Sequence, residues 1–131
     1  MNTIEIRTRT KEEFVDLTAE VGRLVAASGV ASGLCVVAVA HTTAGVTVNE
    51  NADPDVRADL LMTLRRIVPD SLPYAHVEGN SPAHVKSSLV GSSVTLVVEG
   101  SRLQLGTWQG IFFCEFDGPR ARQVWVQVVG R

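Results

Sequence analysis

Leu34-Cys-Val-Val-Ala-Val-Ala40 runs without a break into His41-Thr-Thr-Ala-Gly-Val-Thr-Val-Asn-Glu-Asn-Ala-Asp-Pro-Asp55. The first part is short, β-branched and flanked by Gly33 and Gly45, the composition of a buried strand. Val46, Val48 and Glu50 then alternate with Thr47 and Asn49, which predicts a second short strand pairing close by. Asp53-Pro54 reads as a helix start, an N-cap followed by a proline at the first helical position, where its missing N–H costs nothing. His41 falls where buried strand gives way to polar chain. A solvated loop has no need of the imidazole, hydroxyls, amides and carboxylates gathered between His41 and Asp55. A site that binds a metal or moves protons does need them. The plainer alternative is a capped strand and a polar turn into a helix.

Working outward toward the N-terminus, Ile4, Ile6 and Thr8 alternate with Glu5 and Arg7, as in an edge strand with one wet face. Thr10-Lys-Glu-Glu13 has the form of a capping box, so a helix is predicted from there to about Ser28. Phe14, Leu17, Val21, Leu24 and Val25 would form its core stripe, and Gly29 would end it. Toward the C-terminus, Val56, Leu60, Leu64 and Ile67 predict one buried side of a helix that Pro69 stops, with Arg57, Asp59, Arg65 and Arg66 facing water. Ser81-Pro82 repeats the cap-and-proline pattern and opens a short helix ended by Gly91. The rest alternates as strands: Val94–Val98, then Leu103 and Leu105, then Ile111–Asp117. In the last of these, Phe112, Cys114 and Phe116 share one face. In the final strand Val124, Val126 and Val128 form one face. Gln123, Trp125 and Gln127 form the other, which suits a surface that another subunit covers. The element pattern is that of a single α+β domain, residues 1–131, with mainly antiparallel strands, two longer helices and one short one.

Composition narrows the function classes. The chain has 131 residues, 45% hydrophobic and 20% charged, enough for one domain with a real core. A net charge of −2 with no long basic run offers no electrostatic footprint for nucleic acid. No apolar run approaches the ~20 residues of a membrane helix, so no membrane partner is expected. Met1–Thr10 lacks an apolar signal core, and Cys35 and Cys114 lie far apart. Cytoplasm is the expected compartment, without a structural disulfide.

All three histidines, His41, His76 and His84, fall in polar segments beside glycines or helix starts. A shared site is expected from that coincidence. Three imidazoles suit zinc or a similar divalent ion, magnesium being the other candidate, with one position open to water or substrate. His41 and the carboxylates Glu50 and Glu78 are the candidate proton-handling groups. The helix start at Asn80 and Ser81 offers backbone N–H groups to an anion, and Lys86 and Arg120 offer charge. A small phosphorylated molecule is the expected partner. For Cys114, buried and inert is the ordinary reading; a ligand or nucleophile is the alternative.

Three blocks carry a resemblance: His41 through Asp55, His76-Val-Glu-Gly-Asn-Ser-Pro-Ala-His84, and Leu105-Gly-Thr-Trp-Gln-Gly-Ile-Phe-Phe-Cys-Glu-Phe-Asp-Gly-Pro-Arg120. Together they resemble the signature blocks of the YjbQ family, whose members are often labelled secondary thiamine-phosphate synthase enzymes. The resemblance implies a β-sandwich or barrel-like sheet, a homotrimer, and convergence of the three blocks on one pocket. It also implies an activity: joining a pyrimidine carried on pyrophosphate to a thiazole phosphate. Such chemistry needs the leaving pyrophosphate neutralised by a divalent ion, Arg/Lys or backbone N–H groups. The same groups serve a phosphate-ester hydrolase. A non-catalytic trimeric module that binds a metal or a phosphorylated metabolite is the alternative to an enzyme.

Overall fold

Alternation decides the first strand. In the computed structural model, which describes all 131 residues, Asn2–Arg7 forms β1, with Ile4 and Ile6 turned inward and their neighbours exposed. It lies at a sheet edge, antiparallel to the last strand, β8 (Ala121–Gly130), as the sequence predicts.

The next segment corrects the sequence reading. The helix predicted from Thr10 does not begin there. Glu13–Asp16 is a strand, β2, and helix α1 covers only Thr18–Ala27. The Glu13 carboxylate does reach back, accepting from the N–H groups of Arg9 at 2.6 Å and Thr10 at 3.1 Å, but it closes a turn. Phe14 and Val15 suit a strand, and β2 gains a ladder by pairing with Phe113 and Cys114 of β7 (Gln109–Glu115). Tertiary pairing outweighs the local capping pattern. The helix starts instead at Thr18, whose N–H at 2.9 Å and hydroxyl at 2.6 Å both donate to the carboxylate of Asp16, the last residue of β2. Leu17, Val21 and Val25 are buried as predicted, and Gly29, at φ +76°, adopts the left-handed conformation that ends the run.

Ser32–Val39 (β3) and Ala44–Glu50 (β4) are both strands but do not pair with each other. β3 lies between β8 and β5 (Ser93–Glu99) in a five-stranded sheet of order β1-β8-β3-β5-β6, where β6 is Arg102–Leu103. β4 crosses to a three-stranded sheet of order β2-β7-β4. His41 therefore sits where the chain changes sheets. All strand pairs are antiparallel.

Helix α2 (Pro54–Ile67) starts where expected, with the Asp53 carboxylate accepting from the N–H of Asp55 at 2.9 Å. Helix α3 is Ser81–Val90. The main core joins both sheets and α1 through Val37, Ile111, Phe113, Val124 and their neighbours. A smaller cluster of Ala83, Phe112, Cys114 and Phe116 lies on the other face of β7, packed by Phe14, Leu61 and Leu64. β7 is thus buried on both sides, and each phenylalanine it buries stabilises the fold by about 1.5–3 kcal/mol.

Three readings need revision. α2 has no fully buried residue, and Ile67, expected inside, is 62% exposed. Arg57, expected to face water, lies over the Phe112 ring at 5.2 Å. β3 is buried on one face only: Cys35, Val37 and Val39 are inside, while Leu34 is 47% exposed opposite Val97 and Val129. The result is an α+β fold of mainly antiparallel, curled sheets with three helices. None of the helices is long and apolar enough to cross a membrane.

Candidate functional site

Three separate segments deliver the histidines. His41 follows the end of β3, His76 lies on the connection between α2 and α3, and His84 is in the first turn of α3. All three line one open cleft of about 780 Å³, together with Thr42, Thr43, Glu78, Asn80, Ser92, Arg120 and Arg122.

The start of α3 is fixed by its surroundings. Gly79, at φ +78°, makes the turn into the helix. The carbonyl of Asn80 accepts from the N–H of Ala83 at 3.0 Å and more weakly from that of His84 at 3.4 Å. The Asn80 side-chain amide donates to Asp117 at 2.9 Å, and the same carboxylate oxygen accepts from the Arg120 guanidinium at 3.0 Å. Arg120 Nε also donates to the Asp117 carbonyl at 2.8 Å. One aspartate thus ties the helix start to the arginine across the cleft.

Beneath the cleft lies a buried ion pair that the sequence reading missed. Arg122 grips Glu115 with both ends of its guanidinium, Nε to Oε1 at 2.9 Å and the terminal nitrogen to Oε2. It also donates to the Thr43 hydroxyl at 2.9 Å, and the Thr8 hydroxyl donates to Glu115 at 2.7 Å. Burial pushes the Glu115 carboxyl up. The bonds from Arg122, Thr8 and the Asp117 N–H, with the guanidinium charge, outweigh that and hold it below the usual carboxylate range. A signal existed: Glu115 shares a strand face with Ile111 and Phe113, and Arg122 shares one with Val124 and Val126. Charges at two buried alternation positions call for each other.

His41 has a defined job in this setting. Its Nε2 accepts from the backbone N–H of Gln123 at 2.8 Å, which leaves the proton of the neutral ring on Nδ1. Burial lowers its pKa below the ordinary histidine value; the charges of Arg122 and Arg120 lower it further, and Glu115 only partly opposes them. The His76 and His84 rings meet edge to face, 5.4 Å between centroids, and Glu78 lies 4.0 Å from His76 Nε2.

The cleft gathers the imidazoles without building an ion cage. No three His, Cys, Asp or Glu side chains stand close enough to hold one metal ion, and the Nε2 of His41 is already engaged. The groups present suit an oxyanion more directly than a bare ion. The other candidates divide. Asn80, Glu78 and Arg120 line the cleft. Glu50 does not, since its carboxylate accepts from the N–H of Asp53 at 3.2 Å at the start of α2. Ser81 opens α3 but is not part of the cleft wall. Lys86 points into a neighbouring cavity and pairs with Glu12 at 2.7 Å. Cys114 is fully buried, and burial pushes its thiol far up, as an inert cysteine requires.

Curled antiparallel sheets, three helices and a cleft of histidines and arginines at the sheet crossing define the class of domain. The chain belongs to the family described as UPF0047 protein YjbQ-like, whose family model matches residues 2–131. It is 47% identical to the UPF0047 protein YugU of Bacillus subtilis, over 99% of each chain. It is 48% identical to a UPF0047 protein of Methanocaldococcus jannaschii, over 96% of this chain and 91% of the relative. Among solved structures, an uncharacterized YjbQ/UPF0047 protein from Clostridium acetobutylicum superposes with a TM-score of 0.97 at 50% identity, covering 98% of this chain and 100% of that one.

Proposed function

We propose that the histidine cleft is the active site of an enzyme that acts on a phosphorylated or pyrophosphorylated small molecule. One observation carries this reading: every histidine of the chain, from three distant segments, lines a single cleft with Arg120. Arg120 would hold phosphate oxygens, with the positive end of the α3 dipole adding to its charge. His41 would donate its Nδ1 proton to an oxyanion as a neutral ring, and His76, with Glu78 beside it, would carry the proton that moves in the reaction. A divalent ion would enter with the ligand, on its phosphate oxygens, rather than on a histidine cage.

The family resemblance makes thiamine-phosphate formation the specific reaction to test. In it, a bond forms from the thiazole nitrogen to the pyrimidine methylene while pyrophosphate leaves with its electron pair. A cytoplasmic homotrimer is the proposed setting. The outer face of the five-stranded sheet supports assembly, since Leu34, Val97, Val129 and Trp125 are each more than 40% exposed there.

Calorimetric titration with inorganic pyrophosphate, with and without magnesium or zinc, tests the cleft, and a pyrophosphate-release assay tests turnover. His84→Asn and Arg120→Gln should each weaken binding by about ten-fold, the worth of one lost charge-assisted bond. Affinity unchanged in both variants overturns the assignment. Wild-type binding without turnover of any phosphorylated substrate would make the protein a binding module.

A further inference from the structure

Lys86 ends in a second cavity of about 460 Å³, adjoining the histidine cleft and sharing Glu78 and Asn80 with it. The β1–β2 connection supplies Lys11 and Glu12, the end of α2 supplies Arg65, and α3 supplies Lys86. The Lys86 side chain is only 5% exposed. Its ammonium carries three N–H donors, yet a single protein acceptor meets it, Glu12 Oε2 at 2.7 Å. The other oxygen of Glu12 accepts from Arg65 Nε at 2.7 Å. Around Lys86 one carboxylate stands between two cations, with Lys11 as a third; the other charges of the lining, Asp70, Glu78 and Asp117, are carboxylates, of which Asp117 is already paired with Arg120. In the wall shared with the cleft, Asn80 gives its amide N–H to Asp117, while its side-chain oxygen is buried with no hydrogen-bond partner. Buried polar atoms are nearly always paired, so an acceptor without a protein donor points to a donor from elsewhere.

We propose that this cavity is a second ligand site. It would take a small oxyanion, phosphate or carboxylate, that carries a hydroxyl or amine a few bonds away. The anionic group sits against Lys86 and Arg65, where the ammonium has donors to spare. The hydroxyl or amine donates to the Asn80 side-chain oxygen. Asp70 and Glu78 in the lining disfavour a second anionic group at that end. The volume suits a small metabolite. The proposal does not depend on what the histidine cleft does. It does place any occupant against the same Glu78–Asn80 wall that a ligand of the cleft would touch.

The test is an amide chemical-shift titration of the full chain with glycerol 3-phosphate, 2-aminoethyl phosphate, lactate and methyl phosphate, the last lacking a donor. Gly79 and Ala83 border only the second cavity, whereas Thr43 borders only the histidine cleft. Saturable shifts at Gly79 and Ala83 are expected, with methyl phosphate the weakest of the phosphates. Saturation by the phosphates alone identifies a phosphate site; saturation by lactate identifies a carboxylate site. Lys86 is buried and its loss can unfold the chain, so Arg65→Gln, whose side chain is 54% exposed, carries the comparison. It should weaken binding by about ten-fold, while His84→Asn should leave it within about two-fold. Three outcomes overturn the proposal: no saturation by any probe at about 10 mM, an affinity that Arg65→Gln leaves unchanged, or shifts confined to the histidine cleft.

Discussion

Replacing Arg122 with methionine keeps an unbranched apolar stem and removes the charge from beneath the cleft. Glu115, fully buried, then loses both bonds from the guanidinium and keeps only the Thr8 hydroxyl at 2.7 Å and the Asp117 N–H at 3.1 Å. Breaking a buried pair from one side costs about 3–5 kcal/mol, because it strands the remaining charge. At about 2.1 cal/mol/K per residue, the 131 residues unfold with an entropy near 0.28 kcal/mol/K, so the midpoint should fall by roughly 11–18 °C. Calorimetry or thermal circular dichroism at neutral pH measures this directly.

Two further readouts separate a stranded charge from simple loss of packing. In the wild type the folded Glu115 pKa lies below its unfolded value. The stability it contributes is therefore complete above about pH 4.3, the unfolded carboxylate value, and disappears as pH falls through the lower folded pKa. In Arg122→Met the favourable partner is gone and desolvation dominates, so the variant should lose less stability than wild type on acidification over that range. The double variant Glu115→Leu/Arg122→Met removes the stranded charge and should recover at least half of the loss. If Arg122→Met costs less than about 1 kcal/mol, or the double variant is as unstable as the single one, the pair is not what holds this region together.

Other perturbations test other parts of the structure. His41, with its pKa lowered, should stay neutral to a lower pH than an ordinary imidazole in a proton–nitrogen correlation titration, with its proton on Nδ1. Because the unfolded ring binds a proton more readily, wild-type stability should decline as pH drops through about 6.5 toward the folded pKa, and His41→Asn should flatten that decline. A Cβ at Gly33 would collide with the Val129 carbonyl oxygen across the β3–β8 pair, where no flexible side chain can yield. Gly33→Ala should cost about 3 kcal/mol or more, or fail to fold, as judged by denaturant titration. In contrast, Gly22→Ala adds a methyl group inside α1 with nothing within 4 Å, and the same titration should show a gain of about 0.5–1 kcal/mol. Cys35 and Cys114, both buried with thiols pushed up, should resist alkylation in the native protein and react together on unfolding.

Much of this protein was legible in one dimension because the chemistry involved is short-range. Asp53 caps a helix through an amide two residues away, Gly29 ends one because its own φ is positive, and the valines of β8 alternate because a strand has a period of two. The three signature blocks, read together, also pointed to the fold and the family. Tertiary structure decided what depends on partners far along the chain. Glu13 makes the local contact of a capping box, yet Phe14 and Val15 go to a sheet because β7 offers them a ladder and an aromatic neighbour. Lys86 and Arg120 carry the same charge and look alike as phosphate holders. Glu12 draws one into a separate cavity and Asp117 holds the other at the histidine cleft. Likewise, residue type marks His41 as chemical, but only the approach of the Gln123 N–H to its Nε2 selects which nitrogen keeps the proton. Local hydrogen bonds and periodicities are encoded within a few residues, whereas the partner of a buried charge or a ring nitrogen is chosen by packing the whole chain.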